Sequence, residues 1–252
     1  LKAIRNPHHV RTVLSMISES GIKKVSETVR KKLDIGTPIG YSASGTVIDI
    51  GKNIRDINIG DRVACAGSEY ASHAEIISVP RNLITKIPNN VTNEVASTVT
   101  LGSIALQGLR RAELTYGETV VVIGLGVIGQ ILLQLLSNNG IKVIGIDIDS
   151  SKLKIANELG FKSYADPNEQ DIYSKINHYT NGYGADSVII TASSTSSDII
   201  SDAFKLCRKK ARVVLIGDVG LNIKREDIYE KELDFLISSS YGPGRYDPTY
   251  EE

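Results

Sequence analysis

The chain has 252 residues, enough to bury one large core or two modest ones, and its 41% apolar and 23% charged content is that of a globular rather than a disordered protein. Its 29 lysines and arginines balance its 29 aspartates and glutamates, so no global field attracts nucleic acid or an acidic membrane, and the expected partner is a small molecule. Cys65 and Cys207 stand at neither metal-ligand nor redox-motif spacing and read as buried small hydrophobes in a reducing cytoplasm.

Residues 6–34 alternate apolar and basic side chains at helical spacing, with Asn6-Pro7 as a start signal and Gly21 as an interruption. Two short helices are expected there, their lysines and arginines forming a solvated face. The chain opens on neither methionine nor a signal or transit sequence, and the expectation is a fragment of a longer cytoplasmic protein. Between residues 36 and 80, β-like stretches at 40–51, 60–64 and 71–79 are separated by glycine-rich turns. Pro88, Asn89 and Asn90 close this unit, and Thr92, followed by Glu94 and an apolar run, marks the start of a connecting helix.

Beyond Thr119 the pattern changes. Strands over 120–123, 142–146, 187–190 and 212–216 alternate with helices over 127–138, 150–159 and 197–206, and the strands are apolar throughout. This predicts an α/β fold, a doubly wound parallel sheet covered by helices on both faces. The most apolar run, 120–136, approaches bilayer length, but three glycines, Gln130 and Gln134 interrupt it. A strand followed by a helix accounts for the run, and no membrane span is expected.

The string Gly124-Leu125-Gly126-Val127-Ile128-Gly129 directly follows the first of these strands and opens its helix, and the next apolar strand ends in Asp147. A GxGxxG string alone is weak evidence; between a strand and a helix it is a dinucleotide fingerprint. Gly124 permits the tight turn, Gly126 lets the backbone approach a pyrophosphate, and Gly129 lets the helix pack on its strand. The helix N-terminus adds unpaired amides and the positive end of the helix dipole. Asp147 is placed to accept hydrogen bonds from the adenosine ribose, and its charge repels a 2′-phosphate, so NAD(H) is expected in preference to NADP(H). Helix capping, with Asp149 and Ser150 alongside, is the alternative role for Asp147.

Taken together, Gly60-Asp61-Arg62-Val63, Ala74-Glu75 before Val79-Pro80, Gly117-Glu118-Thr119 leading into the glycine turn, and Asp147 with Lys152 resemble the medium-chain dehydrogenase/reductase superfamily over residues 40–217. The tail 240–252 and the helical stretch before Gly40 are more narrowly similar to the dehydrogenase half of bacterial bi-domain oxidoreductases, in which a glucose-fructose oxidoreductase-like half follows. The resemblance implies a helical insertion at 1–35, a partial, mainly β GroES-like catalytic domain at 36–98 that lacks its first strands, a Rossmann NAD-binding domain at 99–235 and a return segment at 236–252. It also implies that Ser103 approaches the nicotinamide, that Lys152 reaches the adenosine ribose, and that Thr191-Ala192 and Gly217-Asp218 line the cofactor crevice. Dimerisation through the sheet edge at 231–240 and covalent fusion to a second oxidoreductase domain follow from the same resemblance.

Zinc-dependent members carry a Gly-His-Glu string where this chain has Gly40-Tyr41-Ser42, and a cysteine ligand where it has Val99. The four cysteines of the structural zinc lobe are missing after Cys65, and no metal is expected. Without zinc to polarise the substrate oxygen, Tyr41 is the candidate for that task, with Ser42, Ser44 and Ser103 as relays or hydrogen-bond donors; a packed aromatic is the alternative for Tyr41. His8, His9, His73 and His178 read as structural or exposed. The expected function is zinc-independent hydride transfer between NAD(H) and a hydroxyl or carbonyl compound, by the bi-domain resemblance a sugar or nucleotide-linked sugar. A quinone- or enone-type reductase and a catalytically silent NAD-binding module serving a fused partner are the alternatives.

Overall fold

The computed structural model describes residues 38–165, 170–247 and 249–250, and the helices expected over 6–34 lie outside them. Strands β1 (Ser42–Thr46), β2 (Arg62–Ala66) and β3 (Ile84–Lys86) form a small antiparallel sheet, with Ser42 opposite Ala66 and Cys65 opposite Ile84. It packs over Ile57, Val63, Cys65 and Ala71. Of the expected stretch 40–51 only β1 is strand, and the expected strand over 71–79 is irregular. Its backbone bonds are local or single, His73 N–H to Ile39 O at 2.8 Å and Ala74 N–H to Ser72 O at 2.9 Å. A β-like stretch makes a strand only where a neighbour completes the ladder, and none of the described residues pairs with this one to do so. Strand β3, which the sequence pattern did not single out, is set instead by a 3-10 turn at Arg81–Leu83 and by Pro88 just beyond it.

The connecting helix starts where Thr92 predicted, its hydroxyl accepting from Val95 N–H at 3.3 Å, but it comes in two pieces, α1 (Asn93–Ala96) and α2 (Val99–Ala112). Ser97 and Thr98 turn their hydroxyls back onto Glu94 O and Val95 O, at 2.7 and 2.9 Å, and this local bonding competes with helix continuation. Helix α2 then buries Ile104, Ala105, Gly108 and Ala112. A Cβ at Gly108 would collide with the Ile216 side chain, so this face sits directly on the larger sheet.

That sheet has six parallel strands, β4 (Thr119–Ile123), β5 (Lys142–Asp147), β6 (Lys162–Ala165), β7 (Ala185–Ile190), β9 (Cys207–Leu215) and β11 (Asp234–Ile237), in the order β11-β9-β7-β4-β5-β6. A short parallel pair, β8 (Ser193–Ser194) and β10 (Asp218–Val219), extends past its edge. The crossovers include helices α3 (Val127–Asn138), α4 (Ser150–Glu158), α5 (Gln170–Tyr179), α6 (Asp198–Leu206) and α7 (Arg225–Tyr229). Strand β4 is buried along its whole length and faces two cores. Val121 and Ile123 pack with Ile172, Ile176, Ile200 and Phe204, whereas Val120 and Val122 pack with Ala105, Leu132, Leu133 and Leu136. Each large side chain fully buried here contributes about 1.5–3 kcal/mol, which is why a central strand can be apolar throughout. The apolar run 120–136 is thus β4 and most of α3, and no helix among the described residues is long and apolar enough to cross a membrane. Both cysteines are free and buried, and burial pushes the Cys207 thiol up to about 12.

The end of α6 is held by a lysine. Lys231 Nζ donates to Phe204 O, Lys205 O and Cys207 O at 3.0, 2.8 and 2.7 Å, satisfying carbonyls that the helix leaves open. Burial, opposed by nearby negative groups, lowers its pKa below the ordinary lysine value. Replacing it, Lys231→Met, should cost about 2 kcal/mol, a drop of roughly 4–8 °C in the midpoint of thermal unfolding. An unchanged midpoint would show that the lysine contributes nothing to the helix end.

Candidate active site

The winding of the large sheet reverses at β4: β5 and β6 extend it to one side, β7, β9 and β11 to the other. In such sheets the crevice for a ligand opens outside the carboxyl ends of the strands at this switch point. The chain segments that meet there are the ones singled out from the sequence. Gly124 adopts φ 97° immediately after β4, and a Cβ on it would lie 2.5 Å from Ala192 N. A Cβ on Gly129 would strike Gly124 O, and one on Gly217 would strike Ala192 O. The Thr191 hydroxyl donates to Gly124 O, so Thr191 and Ala192 act here as the wall that seats the turn. Asp218 is exposed at the rim.

Gly126 differs from its two partners. Its Cβ position faces open space, it is the N-cap of α3, and no side chain caps that helix. Uncapped amides at a positive helix end, beside a residue with room around its Cβ position, are what a pyrophosphate requires. Val127 is exposed beside them, while Ile128 is half-buried and Leu125 is fully buried against Gly145, so Leu125 serves the turn with its backbone and the core with its side chain.

Asp147, at the end of β5, is only 7% exposed. One carboxylate oxygen accepts from Leu125 N–H at 2.6 Å and the other from Asp149 N–H at 2.8 Å. It therefore ties the phosphate turn to the loop that follows β5, and each oxygen keeps a lone pair for a ribose hydroxyl. Helix capping falls to Asp149, which accepts from Ser151 N–H at 2.9 Å; the hydrogen bonds from Ser151 hold its carboxyl below the usual carboxylate range. Lys152 Nζ lies 3.8 Å from Asp147 and 3.7 Å from Asp149. Two contributors were not legible from the sequence. Gln130 Nε2 bridges Leu125 O and Lys152 O at 3.2 and 2.9 Å, and Ile148, 79% exposed, offers an apolar surface next to Asp147.

The residues expected to act on substrate separate into two groups. Ser103 lies with Val99 and Thr100 on the first turns of α2 and lines an open cavity of about 220 Å³ bordered by β2, β3 and the return segment. Tyr41 and Ser42 do not line it. The Ser42 hydroxyl donates to Ser97 O at 2.5 Å, Ser44 to Asn93 O at 2.7 Å and Ser103 to Val99 O at 3.0 Å, so all three protons are committed to helix carbonyls. Tyr41 is 42% exposed. His73, exposed, lies across Gly40, where a Cβ would meet its ring. Tyr241, which sequence reasoning passed over, does enter the cavity; an aromatic among serines and glycines in a turn was the signal available for it. Among the described residues no three His, Cys, Asp or Glu side chains are grouped to hold a metal.

The zinc-binding dehydrogenase family is matched over residues 127–252, half of the chain. The chain is 25% identical to a sorbitol dehydrogenase of Halalkalibacterium halodurans, covering 83% of this chain and 70% of that protein. It is 24% identical to a D-arabitol-phosphate dehydrogenase of Enterococcus avium, covering 82% and 68%. A mycobacterial protein solved in complex with NADPH shares the fold with a TM-score of 0.73 at 23% identity, covering 83% of this chain and 66% of that one. The chain thus spans about two thirds of its relatives' length. A six-stranded parallel sheet, a glycine turn at its switch point and these matches together mean that the chain belongs to the zinc-binding dehydrogenase family and is a medium-chain dehydrogenase/reductase.

Proposed function

We propose that this chain is a zinc-independent oxidoreductase that moves a hydride between NAD(H) and the hydroxyl or carbonyl carbon of a small hydroxylated compound. The observation that carries this is the uncapped start of α3, with open space before Gly126 and a carboxylate held beside it by Leu125 N–H. The names of the relatives, sorbitol and D-arabitol-phosphate dehydrogenases, favour a polyol or the matching ketose. NAD(H) is preferred to NADP(H) because Asp147 holds a negative charge where a 2′-phosphate would lie. When bound, the nicotinamide supplies or accepts the hydride. The proton for the substrate oxygen comes from Tyr41, whose phenol is exposed enough to exchange protons with water, while Ser42 and Ser103 act only as acceptors because their own protons are engaged. A catalytically silent NAD-binding module is the competing reading, favoured by the separation of Tyr41 from the cavity that holds Ser103.

The chain is further proposed to dimerise through β11. Among the described residues this strand is unpaired on its outer side, with Ile237 51% exposed on it. Lys231, at the start of the expected interface, is turned instead into its own helix end, so the contact runs along 234–240. The two buried, unpaired thiols suit a reducing compartment, the cytoplasm.

Calorimetric titration of the full-length, metal-stripped protein should show tight NADH and weak NADPH binding. In Asp147→Asn, NADH should weaken by roughly ten-fold and the preference should shrink, because one shifted charge contact is worth about 1.4 kcal/mol; no binding of either nucleotide would overturn the reading. Tyr41→Phe should lower kcat by roughly 10²-fold or more with NADH affinity unchanged, and an unchanged kcat would remove Tyr41 from the mechanism. Sedimentation should find a dimer, and a concentration-independent monomer would sink the β11 contact.

A further inference from the structure

The peptide unit just before the uncapped start of α3 is held by a single side chain. Gln130, the fourth residue of α3, folds back over the first turn of its own helix, and its Nε2 donates to Leu125 O at 3.2 Å. Its backbone N–H donates to Gly126 O at 2.9 Å. The carbonyls on both sides of Gly126 are therefore fixed by one residue.

A trans peptide is planar, with its C=O and N–H pointing in opposite directions. Pinning Leu125 O to Gln130 thus turns the Gly126 N–H of the same unit away from Gln130. Gly126 adopts φ −65°, but glycine takes positive φ about as readily, and nothing lies within 4 Å of its Cβ position to hold it by packing. The polar groups just before this unit are held from elsewhere: Gly124 O by the Thr191 hydroxyl, and Leu125 N–H by Asp147 at 2.6 Å. Gln130 is the side chain that keeps the Leu125–Gly126 unit from turning over.

The same amide makes a second bond, from Nε2 to Lys152 O at 2.9 Å on the first turn of α4. Asp147 reaches from the end of β5 back to the glycine turn, and Gln130 reaches from the turn's own helix out to the segment that follows β5. The two links fix the spacing between the turn and residues 147–152. Reversing the Gln130 amide would set its oxygen against two carbonyl oxygens, so its orientation has one solution. That orientation leaves Oε1 buried with no partner among the described residues. A residue kept only to fill this space would carry no such oxygen, and an unsatisfied buried group calls for another reason to be there.

We propose that Gln130 is a positioning residue for the dinucleotide: without touching the ligand, it sets the direction of the Gly126 N–H toward the pyrophosphate and the distance from that amide to the Asp147–Lys152 segment. This rests on the oxidoreductase reading, whose nucleotide binding the test examines first.

The full-length protein is titrated calorimetrically with NADH and with ADP-ribose, which carries the pyrophosphate and the adenosine ribose but no nicotinamide, at a temperature where every variant is folded. In Gln130→Met, which keeps the length of the side chain and removes both donors, the two ligands should weaken by the same factor, roughly ten-fold. Gln130→Glu, isosteric and without a donor at neutral pH, should weaken both at least as much. Gln134→Met, one turn further along α3, should bind both as the wild type does, because Gln134 Nε2 donates only within the helix, to Gln130 O at 3.1 Å. A merely structural role would lower the melting temperature of the Gln130 variants and leave the affinity of the folded protein where it was. Unchanged affinity in both variants, a loss with NADH that ADP-ribose does not share, an equal loss in Gln134→Met, or failure of both Gln130 variants to fold would each overturn the proposal with the oxidoreductase reading intact. Failure of the wild type to bind NADH would remove both.

Discussion

Three strand ends meet with no room for a side chain, and the rest of the molecule is arranged around that contact. Gly124 after β4, Ala192 after β7 and Gly217 after β9 touch backbone to backbone, with Gly129 of α3 pressed onto the carbonyl of Gly124. The Thr191 hydroxyl bonds to that same carbonyl, so a group that would be orphaned in a tight turn is satisfied from the neighbouring strand. Because these contacts are between main-chain atoms, they fix where α3 begins to within the width of a methyl group. The amides at the start of α3, left uncapped by any side chain, are placed by that same precision.

The same economy governs Asp147. A carboxylate with so little exposure would be expensive if its hydrogen bonds were unmet, but two amides from different loops meet it. Its carboxylate is therefore part of the loop structure before any ligand arrives. Lys152, held near both Asp147 and Asp149, softens the negative charge at the rim without neutralising the inner carboxylate.

The large sheet was legible because its strands are buried on both faces, and double burial leaves a mark in sequence that single burial does not. Continuous runs such as 120–123 and 187–190 have one physical explanation, and the glycines between them announce a switch-point turn. The small sheet was less legible. Residues 71–79 have a β-like composition, yet composition says nothing of whether a neighbouring strand is there to bond. Strand β3, only three residues long, carries too little pattern to be seen. At the site, backbone roles were readable and side-chain roles were not. Glycines declare geometric need by their lack of a side chain, whereas the serines at 42, 44 and 103 turned out to spend their protons on nearby carbonyls, a local competition that residue identity does not reveal. Tyr241 is separated by about a hundred residues or more from the helix and strands whose cavity it enters, and only the fold brings them together.

Helix α2 belongs to both halves of the molecule. Its first turns form a wall of the cavity through Val99, Thr100 and Ser103, and at Gly108 it is seated on Ile216, one residue before the glycine that abuts Ala192. A single rod therefore joins the two places, and a side chain added at Gly108, by lifting α2 from Ile216, would be felt at Ser103 as well.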